Sequence, residues 1–170
     1  MGKEFVEKRE DIMGIVESRV LECQAAKIKN EVNETGNEIQ VTVSGFDNLI
    51  DSLRDLTATE DLSGANKWDT GSELGKQDAK RYMKYKKLPK VLLFHLLRFA
   101  YNKYTGRVEE ITSYFECPNE LDMEEFCLPE VDKTRYTLTA VLAHRGDPMS
   151  GHYITYAQPK HDGNWYVFND

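Results

Sequence analysis

The chain has 170 residues and a mass of 19.6 kDa, enough for one domain with a hydrophobic core and no more. Its residues are 40% hydrophobic, 30% charged and 11% aromatic, with 11 Gly and 5 Pro, which excludes collagen-like, low-complexity and wholly disordered chains. Twenty-two basic residues against 29 acidic ones give a net charge of −7, so nucleic acid is not an expected partner.

The N-terminus is charged, so no secretory signal is expected, and Val6 stands where myristoylation wants Ser or Thr. Lys3 to Val20 carries apolar residues at Phe5, Ile12, Ile15 and Val16 and reads as either a short helix or an entry strand. Val20 to Val32 and Glu38 to Val43 have strand-like alternation, with hairpin-turn chemistry at Asn33-Glu34-Thr35-Gly36-Asn37 between them. Asp47 to Leu56 predicts a helix capped by Asp47, with Leu49, Ile50, Leu53 and Leu56 on one face. Ser63 to Gly75 should be exposed, anchored by Trp68. Gln77 to Lys87 is basic and aromatic, and reads as the solvated face of a sheet beside acidic neighbours.

Val91 to Tyr101 is apolar on both faces, as in a central strand. Because it contains His95 and Arg98, and no run approaches the roughly 20 apolar residues of a bilayer span, no membrane partner is expected. A turn at Tyr104-Thr105-Gly106 leads to a strand over Val108 to Phe115. From Val108 to Asp132 there are nine acids and no Lys or Arg, and without those nine negative charges the rest of the chain stands at +2. Tyr136 to His144, Tyr153 to Gln158 and Asn164 to Phe168 complete the strands of a single α+β unit. Three cysteines without close pairing indicate a reducing compartment, cytoplasmic or nuclear.

The last segment carries the chemistry. Ser150-Gly151-His152-Tyr153 starts a strand after the loop Arg145 to Gly151, and a turn near residue 161 returns the chain toward Asn169-Asp170. In such a hairpin, opposed residue numbers add to 321 or 322, which sets His152 against Asn169 or Asp170 on one face. A histidine beside a carboxamide or carboxylate is a base with its orienter. On spacing alone, a surface histidine near a hairpin end is the weightier reading.

Five motifs change that balance. Leu88-Pro89-Lys90-Val91-Leu92 running to Leu97-Arg98-Phe99, Phe115-Glu116-Cys117-Pro118 to Asp122, Tyr136 to His144, Gly151-His152-Tyr153 and Trp165 to Asp170 resemble the C-terminal signatures of the ubiquitin-specific proteases, which are papain-like cysteine proteases. The resemblance covers roughly Ile12 to Asp170. It implies that family's hand-shaped fold, with finger-like antiparallel strands over about 12–87, a palm over about 88–170 and no helical thumb, the whole chain being one partial catalytic domain. It implies a thiol protease that removes ubiquitin from proteins, with His152 as general base, Asn169 as orienter and Asp170 as a stand-in. The loop Arg145 to Gly151 resembles a blocking loop, Gly151 and Tyr153 would touch the ubiquitin tail, His144 would either touch that tail or, with at least equal weight, be structural, and the acidic segment would face the tail's arginines.

Two departures qualify the likeness. The nucleophile box, close to Gly-x-x-Asn-x-Gly-Asn-Thr-Cys, does not occur, and Cys23, Cys117 and Cys127 read as small buried or half-buried residues. The chain alone is therefore expected to be inactive, as a fragment, an alternative product or a pseudoenzyme; a non-catalytic ubiquitin-binding module is the alternative function. The paired Cys-x-x-Cys motifs that hold finger-tip zinc in many members are absent too, so the likeness is to the zinc-free branch, with no metal and no cofactor. His95 is expected in the core or a cleft wall, Arg98 beside an acid, and His161 in a solvated turn. Self-association through an uncovered palm face is a further expectation.

Overall fold

The structure is a computed structural model and describes residues 9–71, 73–147, 150–160 and 162–170. His161 and Pro148-Met149 of the Arg145–Gly151 loop lie outside the described residues, as do residues 3–8. After a helical turn over residues 9–13 come β1 (Ile15–Cys23), β2 (Ile28–Gly36), β3 (Ile39–Thr42) and the helix α1 (Leu49–Leu56). Next are the short strands β4 (Glu60–Leu62), β5 (Trp68–Asp69) and β6 (Lys76–Gln77), then β7 (Ala79–Lys87), β8 (Phe94–Leu97), β9 (Phe99–Asn102) and β10 (Arg107–Glu110). The chain closes with β11 (Glu120–Asp122), β12 (Arg135–Thr137), β13 (Ala140–Asp147), β14 (Ser150–Ala157) and β15 (Tyr166–Phe168).

A four-stranded antiparallel sheet of order β2-β1-β7-β4 dominates the first half. Its hairpin turns at Gln24–Lys27, where Lys27 takes a left-handed φ of 55°, and not at Asn33–Asn37 as the turn residues predict. Residues Asn33 to Gly36 instead extend β2, paired with Ser18 to Ile15, so strand pairing overrides local turn preference. β7 behaves as expected of a solvated face. Met83 and Tyr85 point inward, while Arg81 and Lys86 meet Glu60 and Glu31.

The cap of α1 is Asn48, whose Oδ1 accepts the Asp51 N–H at 2.9 Å; Asp47 lies one residue too early. The helix buries Leu49 and Leu53 against β3, whose alternate residues Ile39 and Val41 are also buried. Met83, Tyr85, Phe115, Met123 and Phe126 close this core.

The segment from Val91 to Tyr101 is not one central strand. It breaks at Arg98, so that β8 pairs in parallel with β3 while β9 pairs with β10. Leu92, Phe94 and Leu96 face the core, but Leu93, Leu97 and Phe99 on the alternate positions are exposed. Arg98 meets no acid among the described residues: its Nη1 donates to the Ile111 and Ser113 carbonyls at 2.9 and 3.1 Å. His95, expected inside, is exposed, with Nδ1 3.2 Å from Glu38 Oε1. The predicted strand over Tyr136 to His144 is likewise interrupted at Leu138-Thr139, between β12 and β13.

Among the described residues, none after Phe126 is buried. The three-stranded sheet β13-β14-β15 therefore lies outside the core, with large apolar side chains such as Leu142, Tyr153, Val167 and Phe168 open to solvent.

Candidate active site

The outlying sheet holds the residues singled out in the sequence. β13 and β14 form a regular hairpin, with His144 opposite Tyr153, Arg145 opposite His152 and Gly146 opposite Gly151. β15 adds to β14 with Thr155 opposite Phe168 and Ala157 opposite Tyr166. That register is one to two residues later than the hairpin argument set it, because the connection between β14 and β15 is longer on the Asn164 side. His152 therefore has no residue directly across from it on β15. Its imidazole reaches diagonally instead, and Nε2 bonds the side-chain Oδ1 of Asn169.

A carbonyl oxygen only accepts, so Nε2 carries the hydrogen and Nδ1 keeps its lone pair. The exposed ring can then take a proton at Nδ1 while the carboxamide holds its other side. No hydrogen bond joins Asp170 to His152 among the described residues. Asp170 and Asn169 instead line an open depression of about 590 Å3 with Tyr153, Thr155, Val167 and Phe168.

His144, Gly151 and Tyr153 lie on the opposite face of the hairpin from His152, since opposed residues share a face and neighbours alternate. The half-buried His144 ring packs at 5.0 Å from the Tyr153 ring and edge-on at 5.5 Å from Phe99, and its Nδ1 is buried without a hydrogen-bond partner among the described residues. Sequence reasoning passed over Phe99 and Gly146. Gly146 was recognisable, because it and Gly151 flank the loop symmetrically; Phe99 was not, because it reaches His144 from another sheet.

The cysteines sit elsewhere. Cys23 is buried at the end of β1. Cys127 is half-buried beside β7, and burial pushes its thiol up to about 11. Cys117 corrects the expectation of a covered side chain, since the residue is exposed, yet partial burial of its sulfur still raises the thiol against the lowering pull of Arg98. No cysteine bonds His152 among the described residues, so no thiol here is set up to lose its proton to the imidazole.

Charge around the acidic segment is only partly neutralised. Glu125 pairs with Arg54 at 3.0 Å and Asp122 with Arg135 at 3.1 Å. Bonds from Thr134 and from the Glu124 N–H hold the Asp122 carboxyl below its ordinary range. Among the described residues, no three His, Cys, Asp or Glu side chains converge where a metal could bind, and no helix is long and apolar enough to cross a membrane.

Residues 6–170 match the family model described as ubiquitin carboxyl-terminal hydrolase. The chain is 36% identical over 134 residues to ubiquitin carboxyl-terminal hydrolase 48 of Danio rerio, covering 78% of this chain and 13% of that protein. It is 33% identical over 164 residues to ubiquitin carboxyl-terminal hydrolase 7 of Drosophila melanogaster, covering 94% and 14%. The chain thus spans about one seventh of the length of these relatives. In structure it is similar to the SAGA Ubp8/Sgf11/Sus1/Sgf73 DUB module bound to ubiquitin aldehyde, with a TM-score of 0.79 at 22% identity, over 94% of this chain and 36% of that one. A structure of the module with monoubiquitin gives 0.80 at 23% over the same shares. These likenesses establish a fold of the deubiquitinase type.

Proposed function

Because the chain belongs to the ubiquitin carboxyl-terminal hydrolase family, we propose that it supplies the general base and the orienter of a cysteine-type deubiquitinase. The observation that carries this reading is the His152–Asn169 bond, which leaves Nδ1 of an exposed imidazole free to accept a proton. In this role His152 takes the proton of an attacking thiol and returns it to the leaving amine, while Asn169 fixes the ring. Asp170 lines the neighbouring depression and stands in reserve as an orienter. His144, Gly151 and Tyr153 border the path of the ubiquitin tail. Residues 12–87 act as a finger-like grip on ubiquitin and 88–170 as the palm.

The nucleophile is not among Cys23, Cys117 and Cys127, given the burial of the first and the raised thiols of the other two. Those same facts favour a second reading, a module that binds ubiquitin without chemistry. Three free thiols support a cytoplasmic or nuclear location.

A fluorogenic ubiquitin amide separates the readings. The chain alone should not turn it over but should bind ubiquitin. Joined behind a family segment that carries the Gly-Asn-Thr-Cys box, it should become active, and His152→Ala should then lower the rate by on the order of 10²–10⁴. Binding without activity in the fusion would favour the second reading. Turnover by the chain alone that disappears on changing one of its three cysteines would overturn the assignment of the nucleophile.

A further inference from the structure

The two histidines on opposite faces of the β13–β14 hairpin are held in different ways. The His152 ring is exposed and secured by one bond, to an uncharged carboxamide. Such a bond restrains a ring less than a charged partner does. On the other face the His144 ring covers the bare Cα of Gly151, the residue just before His152. A Cβ at Gly151 would fall 2.6 Å from Cε1 and 2.9 Å from Cδ2 of that ring, so only glycine admits the contact. Gly146, directly opposite, is closed to side chains as well. Its φ is 127°, and a Cβ there would lie 2.9 Å from the Gly151 Cα. The ring also meets Phe99 of β9 edge-on, with planes 78° apart, which ties the hairpin to a second sheet.

We propose that His144 is a positioning residue for His152, acting through the shape of its ring on Gly151; the role rests on the reading of His152 as general base. The buried Nδ1 of His144 has no hydrogen-bond partner among the described residues, so that nitrogen does not hold the ring, whereas its contacts with Gly151, Tyr153 and Phe99 do. With the ring in place, the Gly151–His152 peptide has one orientation, and the bond from Nε2 to Asn169 follows from it. Without the ring, glycine's conformational freedom returns immediately beside the base, and the bond forms only part of the time.

The test uses the 170-residue chain labelled at its histidine ring nitrogens and observed by NMR at mildly alkaline pH, so it needs no activity. In the unaltered chain and in His144→Phe, the two His152 nitrogens should keep the well-separated shifts of one neutral tautomer. In His144→Ala the separation should collapse toward an average, while the amide spectrum of β1 and β7 stays unchanged and certifies the fold. Gly151→Ala should disturb the hairpin, and adding His144→Ala should relieve that disturbance by removing the ring that a Cβ strikes. Unmoved His152 shifts in His144→Ala, or a collapse in His144→Phe as large as in His144→Ala, would overturn the proposal. In the active fusion, His144→Ala should lower kcat by about 10- to 100-fold, over and above any change in KM from its place beside the ubiquitin tail. Failure of the base reading would look different: His152→Ala would keep its activity while the tautomer shift in His144→Ala persisted.

Discussion

Tyr85 offers a measurement in which removing an atom should stabilise the protein. It lies in β7 and is fully buried, and its phenolic oxygen has no hydrogen-bond partner among the described residues. Its backbone is well served, since the carbonyl accepts the Leu128 N–H at 2.9 Å. A buried hydroxyl left unpaired costs about 1–3 kcal/mol in lost hydration. Tyr85→Phe removes that cost and gives up only the dispersion contacts of one oxygen, about 0.1–0.2 kcal/mol for each neighbouring atom. The net gain should be about 1 kcal/mol, or a rise in Tm of roughly 2–4 °C for a domain of this size.

Alkaline pH supplies a second reading of the same residue. Burial holds the Tyr85 phenol protonated well above its ordinary value of 10. In the unfolded chain the phenol ionises near 10, so the unfolded state loses its proton first. The residue's contribution is therefore complete below pH 10 and declines as pH rises from there toward the folded value, by up to ~1.4 kcal/mol per pH unit. Tyr136, pushed up to about 12 by burial, adds a slope of the same sign, so the variant should flatten the alkaline limb without abolishing it. Urea titrations followed by circular dichroism at pH 8 and pH 11 measure both effects. A variant less stable at pH 8 would show that the hydroxyl has a partner, and one with the same alkaline slope as the parent would show that burial does not hold the phenol protonated.

Phe126 is 1% exposed at the centre of the core, so Phe126→Ala should cost about 3–5 kcal/mol, read as a lower urea midpoint; a loss below 1 kcal/mol would mean that the site collapses around the smaller residue. In the active fusion, Asn169→Ala should reduce turnover more than Asp170→Ala does, because only Asn169 bonds the imidazole; equal effects would show that the two residues share the role. Alkylation with iodoacetamide at pH 7.5, followed by peptide mapping, should modify Cys117 first but more slowly than an unhindered thiol, with Cys127 and the buried Cys23 after it; faster labelling of Cys23 would contradict its burial.

Sequence pattern located the strands well where alternation met a single buried face, as in β3 and β7. It failed where two local signals competed. Asn33-Glu34-Thr35-Gly36-Asn37 has stronger turn chemistry than Gln24–Lys27, yet pairing with Ser18 to Ile15 keeps Asn33–Gly36 extended. The run from Val91 reads as central because both faces are apolar, but only one face is covered in the chain described here. His152 and Asn169 were legible through local hairpin geometry, although the register was off by one to two residues and only the diagonal reach of the imidazole brings them together. The contact of Phe99 with His144 was illegible for a different reason, since nothing in either segment encodes how two separate sheets approach.

The order of pairing along the chain also separates the two halves in time. β1 must find β7 with Val16 opposite Lys87, and β3 must find β8 with Ile39 opposite Phe94, so the core waits on long loop closures. The sheet that carries His152 is made entirely of consecutive strands joined by short connections, with Asp147 opposite Ser150 and Ala157 opposite Tyr166. Local hairpins of this kind zip in microseconds, whereas distant strand pairings set the slow phase of folding. The bond between His152 and Asn169 can thus close before the core has consolidated. Refolding from urea should show the site sheet forming ahead of the protein's main body.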